Sequence, residues 1–378
     1  MTKAIGAIGL GNFAIGLGAF LVVGLLVPIA RDMQVNTAEA GLMMVIYAAS
    51  YALTSPILIN VSGSWPRRRM LLGSLALMAL GTLTCLLAPD WKLFLIGRAL
   101  AAVGGGAYTP IAASTVYSLS LPARRGRNLA VIFLSMSLSQ AAGIPFGIWL
   151  ETLIGWRQVL VSVLALTLAS SVAILLTTPG RISSSRPPTS FRLLLVNGRA
   201  LVSLLLTVLQ VSAYNVIYTY IGPLALKTAV ATPMVMLLVI GISNSVGGLL
   251  VGPIADRFGP HRLLMFVLAA FAAILPVFSL GSIPIAVLLG ATFAWGFTSG
   301  FFMVPQQMTL VRDAPDHQTL VLSLNATATY IGVALGSAVG GLVISRAGLD
   351  CLGLVASGIA LAGLAIFNLH PGRRGLDG

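Results

Sequence analysis

Apolar stretches of about 20 residues recur along this chain between short charged or Pro/Gly-rich breaks, and that recurrence decides most of what it can fold into. About 20 residues at 1.5 Å each cross the ~30 Å hydrocarbon layer of a bilayer, where only a helix or closed barrel satisfies its own backbone. Twelve stretches are read, at 5–30, 39–62, 70–88, 93–118, 128–150, 157–177, 199–222, 233–255, 262–280, 284–309, 320–344 and 351–369. The expected fold class is therefore all-α and integral to the membrane, with twelve transmembrane helices. The first stretch is much longer than the roughly 7–15 residues of a signal-peptide core and reads as a retained span. Charged residues are 8% of the chain, against about 25% in soluble domains, so a water-facing surface could not be covered. This composition argues against soluble enzymes, nucleic-acid binders and disordered scaffolds together.

The net charge of +13 would suggest nucleic acid in a soluble chain; in a membrane protein it is an orientation signal. With the N-terminus inside, the cytoplasmic segments hold Lys3, Arg67, Arg68, Arg69, Arg124, Arg125, Arg127, Arg181, Arg186, Arg192, Arg199, Arg257, Arg262, Arg312, Arg373 and Arg374. These sixteen bases face four acids, whereas the remaining segments hold six bases and five acids. One missed span would move every later loop to the other side and spoil the asymmetry. The expectation is a multi-pass protein of the cell (inner or plasma) membrane with both termini cytoplasmic, bilayer lipid around it, a small-molecule solute as partner and no nucleic acid. Cys85 and Cys351 form no CxxC pair and read as buried thiols; no metal-ligand spacing and no cofactor motif is present.

The longest polar break, Thr177 to Arg199, separates six spans from six. It divides the chain into a bundle over 1–176, a cytoplasmic linker over 177–198 and a second bundle over 199–378. Shifting the second half by 193 positions lays Arg69 on Arg262, Pro122 on Pro315, Gly143 on Gly336, Gly147 on Gly340 and Gly155 on Gly348. Two pseudo-symmetric six-helix bundles with a midplane site between them are the expected result of such a repeat. Gly143 and Gly147, with Pro145 between them, give span 5 a close-packing pair and a bend, because proline removes one helix hydrogen bond.

Four segments carry a family resemblance. Gly252-Pro253-Ile254-Ala255-Asp256-Arg257-Phe258-Gly259-Pro260-His261-Arg262 places an acid at a helix end, where it can cap or pair with Arg257 or Arg262, and a glycine in the tight turn. Its first-half copy, Ser62-Gly63-Ser64-Trp65-Pro66-Arg67-Arg68-Arg69, has Gly63 where the acid should stand and Pro66 where the glycine should. Span 4 holds Arg98 followed by Gly104-Gly105-Gly106, and span 5 reads Gly143-Ile144-Pro145-Phe146-Gly147. Together these resemble the major facilitator superfamily, and within it the twelve-span drug:proton antiporter branch that also contains sugar and nucleoside exporters. The resemblance implies the major facilitator fold, a monomer, and alternating access by rocking of two bundles. It implies gating by Asp256, Arg257, Gly259 and Arg262 and by Gly143, Pro145 and Gly147, coupling through Arg98, and export as the direction.

The resemblance also implies that spans 1, 4, 7 and 10 line the solute path. On these spans the candidate contacts are Asn12; Tyr108 and Thr109; Gln210, Tyr214, Asn215 and Tyr218; and Trp295, Ser299 and Gln306. Tyr214 and Tyr218 follow Gln210 at i+4 and i+8, a polar-aromatic stripe at helical spacing. Aromatic rings and neutral amides with one positive charge suit a neutral, amphiphilic or weakly anionic solute. Protons are the expected coupled ion, yet no Asp or Glu lies deep in a span, and Glu151 at the outer end of span 5 is the carboxylate nominated to pair with Arg98. Three readings stand: proton-coupled export, a facilitator for a sugar, nucleoside or related metabolite, and a non-transporting receptor. No nucleophile, base and acid set assembles at one depth, so an enzyme is not expected.

Overall fold

A computed structural model describes residues 2–61, 65–180, 198–227, 232–281 and 283–369. Most of the expected linker, with Arg181, Arg186 and Arg192, lies outside the described residues, as do Ser62, Gly63 and Ser64 of the first signature loop. So do His370, Arg373, Arg374 and Asp377 near the C-terminus.

All the regular secondary structure among the described residues is helical. In chain order the helices are α1 (Thr2–Gly24), α2 (Leu26–Asp32), α3 (Thr37–Ala40), α4 (Leu42–Val61), α5 (Arg67–Leu87), α6 (Trp91–Leu119), α7 (Arg125–Leu138), α8 (Ile144–Ile154) and α9 (Trp156–Thr177). There follow α10 (Gly198–Tyr218), α11 (Ile221–Lys227), α12 (Pro233–Phe258), α13 (Pro260–Ile274), α14 (Ile285–Gly300), α15 (Met303–Asp313), α16 (Gln318–Ala347) and α17 (Leu352–Leu369). Joined end to end where the break is one turn, they give the twelve crossings expected of the sequence. Among the described residues eleven of these are long and apolar enough to cross a bilayer. The other is α6, where Arg98, Gly104-Gly105-Gly106 and Pro110 dilute the apolar content.

The chain forms two compact units, the first from Met1–Asn36 and Ile46–Pro188, the second from Thr37–Val45 and Thr189–Gly378. The second takes in α3 and the start of α4, which the sequence reading assigned to the first bundle. There Gly41 leaves room for Tyr220, whose Oη would lie 1.8 Å from a Cβ added at that position.

Within the first unit α1 is the inner helix: 78% of its most apolar window is buried, against 22% for Arg125–Ile154. A helix apolar all round has no solvent face to keep and sinks to the middle of its bundle. The outer helices turn Phe133, Leu134, Leu138, Phe146, Trp149 and Leu153 outward, and in a bilayer these meet lipid. Where α5 and α6 cross, side chains are excluded altogether. A Cβ on Gly81 would stand 2.3 Å from the Ala101 nitrogen, and one on Gly97 would stand 2.7 Å from the Cys85 nitrogen. Lipid gives helices little hydrophobic drive to associate, so close backbone approach has to supply the attraction.

The internal repeat is visible in backbone and charge. Gly155 (φ 81°) and Gly348 (φ 83°), 193 residues apart, both end a helix with a left-handed residue that a side chain would strain. Arg157 pairs with Asp32 in the first unit and Lys227 with Asp350 in the second. Arg157 and Asp350 are repeat equivalents, so the same tie between a unit's first and last spans is made with its charges exchanged. The bend expected at Pro145 coincides with a π turn over Ser139–Gly143, directly before the proline, inside the continuous helix Arg125–Ile154.

Replacing Gly81 with valine should destabilise the protein by about 1–3 kcal/mol, the usual cost of overpacking. Gly73→Val, on the same helix with nothing within 4 Å of an added Cβ, should leave the thermal midpoint unchanged in detergent.

Candidate functional site

Arg98 sits in the second turn of α6 and is only 4% exposed. A charge in hydrocarbon is costly, and here α1 and α4 share the burden. Nη1 donates to the Gly18 carbonyl at 2.6 Å and Nη2 to the Ala19 carbonyl at 2.9 Å. The guanidinium carbon lies 4.4 Å from the centre of the Tyr47 ring, a cation–π geometry. Cys85 borders the same space, its thiol donating to the Phe94 carbonyl at 3.4 Å. The carboxylate nominated as partner, Glu151, does not enter this set: it stands half-buried near the end of α8. Carbonyl oxygens have a spare lone pair to accept such donors.

The other polar candidates of the first unit tie α1 to its neighbours. Asn12, fully buried, donates to the Ile132 carbonyl on α7 at 2.8 Å and accepts from the Thr109 hydroxyl on α6 at 2.7 Å. Tyr108 Oη donates to the Ile8 carbonyl at 2.9 Å, in the space that Gly11 leaves open. Each of these groups is spent on holding helices together.

In the second unit one face of α10 has two parts. Toward its C-terminal half lies an aromatic cluster in which Tyr214 sits 4.8 Å from Trp295 and 5.0 Å from Tyr218, and Trp295 meets Phe278 at 5.4 Å. Trp295 Nε1 is buried in this cluster without a hydrogen-bond partner. Asn215 faces Gly336 of α16 instead; its Oδ1 is buried without a partner, and its Nδ2 donates back to the Val211 carbonyl at 2.8 Å. Gln210 is buried on the same helix, and Ser299 on α14 donates to the Trp295 carbonyl at 2.8 Å.

One and two turns toward the helix start the face becomes a hydrogen-bonded network. Gln306 Nε2 donates to the Ser203 carbonyl and, at 2.9 Å, to Thr207 Oγ1; Thr207 in turn donates to Asn325 Oδ1 at 2.6 Å. Ser203 Oγ donates to Asp313 Oδ2, also at 2.6 Å. Gln306 thus joins α15 to α10, and three members of the network, Ser203, Thr207 and Asn325, escaped the sequence reading. The stripe at Gln210, Tyr214 and Tyr218 continues backward through Thr207 and Ser203 at helical spacing, so the signal was there. Tyr47 gave no such signal, because nothing local marks which aromatic of a span will meet a distant arginine.

The signature turn forms as expected at Gly259, which has φ 79° and whose N–H caps α12 on the Ala255 carbonyl at 2.9 Å. Asp256, Arg257 and Arg262 are all exposed, and neither of the ion pairs Arg157–Asp32 and Lys227–Asp350 includes Asp256. Gly143 and Gly147 pack on α1, where added Cβ atoms would stand 2.6 Å from Leu17 and 2.5 Å from Leu21.

Tyr47 Oη is buried with no hydrogen-bond partner, so the ring rather than the hydroxyl supports Arg98. Tyr47→Phe should therefore leave the thermal midpoint within error of the parent, while Tyr47→Leu should cost about 0.5–2 kcal/mol by removing the π face.

Comparison with known proteins agrees with this architecture. The Major Facilitator Superfamily profile matches residues 8–337 and, in a second match, 234–376. The inner membrane transport protein YdhP of Escherichia coli (strain K12) is 30% identical over 364 residues, covering 95% of this chain and 93% of that protein. A probable sugar efflux transporter of Helicobacter acinonychis (strain Sheeba) is 25% identical, with 95% and 93% covered. Among solved structures, a point mutant of the nucleoside transporter NupG superposes with a TM-score of 0.77 at 12% identity, over 97% of this chain and 98% of that one. With twelve helical crossings, an internal repeat and a match running nearly its whole length, the chain belongs to the Major Facilitator Superfamily of transporters.

Proposed function

We propose that this transporter exports a small neutral or amphiphilic organic solute, exposing it first to one face of the membrane and then to the other, with a proton moving in exchange. The chain lies in the inner membrane of the cell with both termini cytoplasmic, as the distribution of arginines supports.

The observation that carries the solute assignment is the cluster of Tyr214, Tyr218, Trp295 and Phe278 with an unpartnered donor, Trp295 Nε1. Buried polar atoms are rarely left unpaired, because each costs about 1–3 kcal/mol. A solute with an apolar face and a carbonyl-, hydroxyl- or ether-type acceptor would complete this donor. No acid stands among these groups to attract a strong cation. Export is supported by the Gly-x-Pro-x-Gly element of span 5 and by the name of the sugar efflux relative.

A second reading, facilitated diffusion without a coupled ion, is favoured by one observation: no Asp or Glu lies deep in a span of the sequence. Proteoliposomes distinguish the two. Under the first, an imposed pH gradient should drive accumulation of an accepted sugar, nucleoside or dye-like amphiphile, and a protonophore should abolish it. Equilibration at the same rate with and without the gradient establishes the second. In either case Trp295→Leu should weaken apparent solute affinity about tenfold, equivalent to ~1.4 kcal/mol. Unchanged affinity for every accepted compound would remove the cluster from solute recognition.

A further inference from the structure

The two units carry different charge at the end where their signature loops lie. In the second unit, Arg199, Arg257, Arg262 and Arg312 are accompanied by Asp256, Asp313 and Asp316. The first unit has Arg67, Arg68, Arg69, Arg124, Arg125 and Arg127 at the equivalent end and no acid there. Its acids, Asp32, Asp90 and Glu151, all lie at the opposite ends of its helices. The substitution of Gly63 for the acid of the signature loop is part of this imbalance.

The arginines converge in space. α5 starts, α6 ends and α7 starts at this one end, and the Arg67 guanidinium donates to Ser114 Oγ across the α5–α6 contact. Arg125 stacks 4.3 Å over the Tyr117 ring and donates to its Oη at 3.1 Å, closing the α6–α7 corner. In each of these contacts the guanidinium is held by a neutral partner. Arg69, Arg124 and Arg127 are exposed, and Arg68 is half-buried beside Gly180. Bordering them, Trp65 is 57%, Tyr117 48% and Leu121 58% exposed. Tryptophan and tyrosine with an apolar body and a polar edge settle at the headgroup level of a bilayer. The end of the first unit therefore offers several guanidiniums beside an apolar and aromatic rim.

We infer that this surface binds the headgroup of an anionic glycerophospholipid. The phosphodiester takes the guanidiniums of Arg68, Arg69, Arg124 and Arg127, and the glycerol and upper acyl region lie against Trp65 and Leu121. Guanidinium donors match phosphate oxygens in pairs. A zwitterionic headgroup would bring its own ammonium into a site that already holds six positive charges. A free phosphate would leave the apolar rim unused. On the orientation proposed above this end faces the cytoplasmic leaflet, whose anionic lipids attract basic clusters; the test does not depend on that orientation, because nanodiscs offer the same lipid on both faces.

The experiment compares lipid retention by native mass spectrometry and thermal midpoint for the full chain in nanodiscs of phosphatidylcholine with and without phosphatidylglycerol. The parent protein should retain phosphatidylglycerol in preference by about tenfold and melt higher in its presence. The variant R68Q/R69Q/R124Q/R127Q should lose both effects, while R199Q/R312Q in the second unit keeps them. Equal retention of the two lipids by the parent, or an undiminished preference in the fourfold variant, overturns the inference. So does a midpoint shift reproduced by inorganic phosphate alone. If the fourfold variant melts lower in pure phosphatidylcholine, the parent decides the matter: raising salt from about 0.05 to about 0.5 M should erase its preference, and persistence at high salt contradicts the site.

Discussion

Hydrocarbon offers no water to take a hydrogen bond, and every polar side chain inside these spans is placed by that fact. Arg98 spends its donors on the Gly18 and Ala19 carbonyls and its face on Tyr47. Asn12 links α1 to α7 while receiving Thr109 from α6, and Gln306 with Thr207 and Asn325 links α15, α10 and α16. In both units the polar atoms sit where three helices meet, so satisfying them also fixes how the helices are arranged. Glycine does the complementary work where two helices cross with nothing between them, as at Gly81 and Gly97.

Against that background the groups left unsatisfied stand out. Trp295 Nε1 lies in the aromatic cluster described on α10 and has no hydrogen-bond partner. A structural tie would have been completed by a neighbouring helix, as it is at Thr219 and Ser337, 2.7 Å apart. Groups that a passing solute completes, and then leaves, serve transport better than groups the protein completes for itself. Gln306 falls between the two cases: its amide nitrogen ties α15 to α10, while its Oε1 is buried without a partner.

Helix number, the repeat and the family were legible in the sequence because they rest on quantities summed over many residues: stretch length, charge by side and a constant shift of 193. The left-handed glycines at 155 and 348 show how far that reading reaches into backbone geometry. Side-chain partners were much less legible. Arg98 was recognised as an intramembrane charge, but its supports are carbonyls of α1, which every residue possesses, and a ring 51 residues away in the chain. Nothing in residue type announces a carbonyl as a ligand, and the search for a carboxylate led to Glu151. Thr207 and Asn325 were overlooked for the converse reason. Hydroxyls and amides are common in membrane helices, and only the crossing of three of them shows which ones meet.

The account stands on twelve crossings whose arginine-rich ends share one side of the membrane. Single cysteines at Asp90→Cys, in the turn between α5 and α6, and at Arg124→Cys, between α6 and α7, test it directly once Cys85 and Cys351 are replaced by alanine. In intact cells an impermeant maleimide should label position 90 and spare position 124, and opening the membrane should expose both. Labelling of position 124 in intact cells, or of both positions from one side, would contradict it.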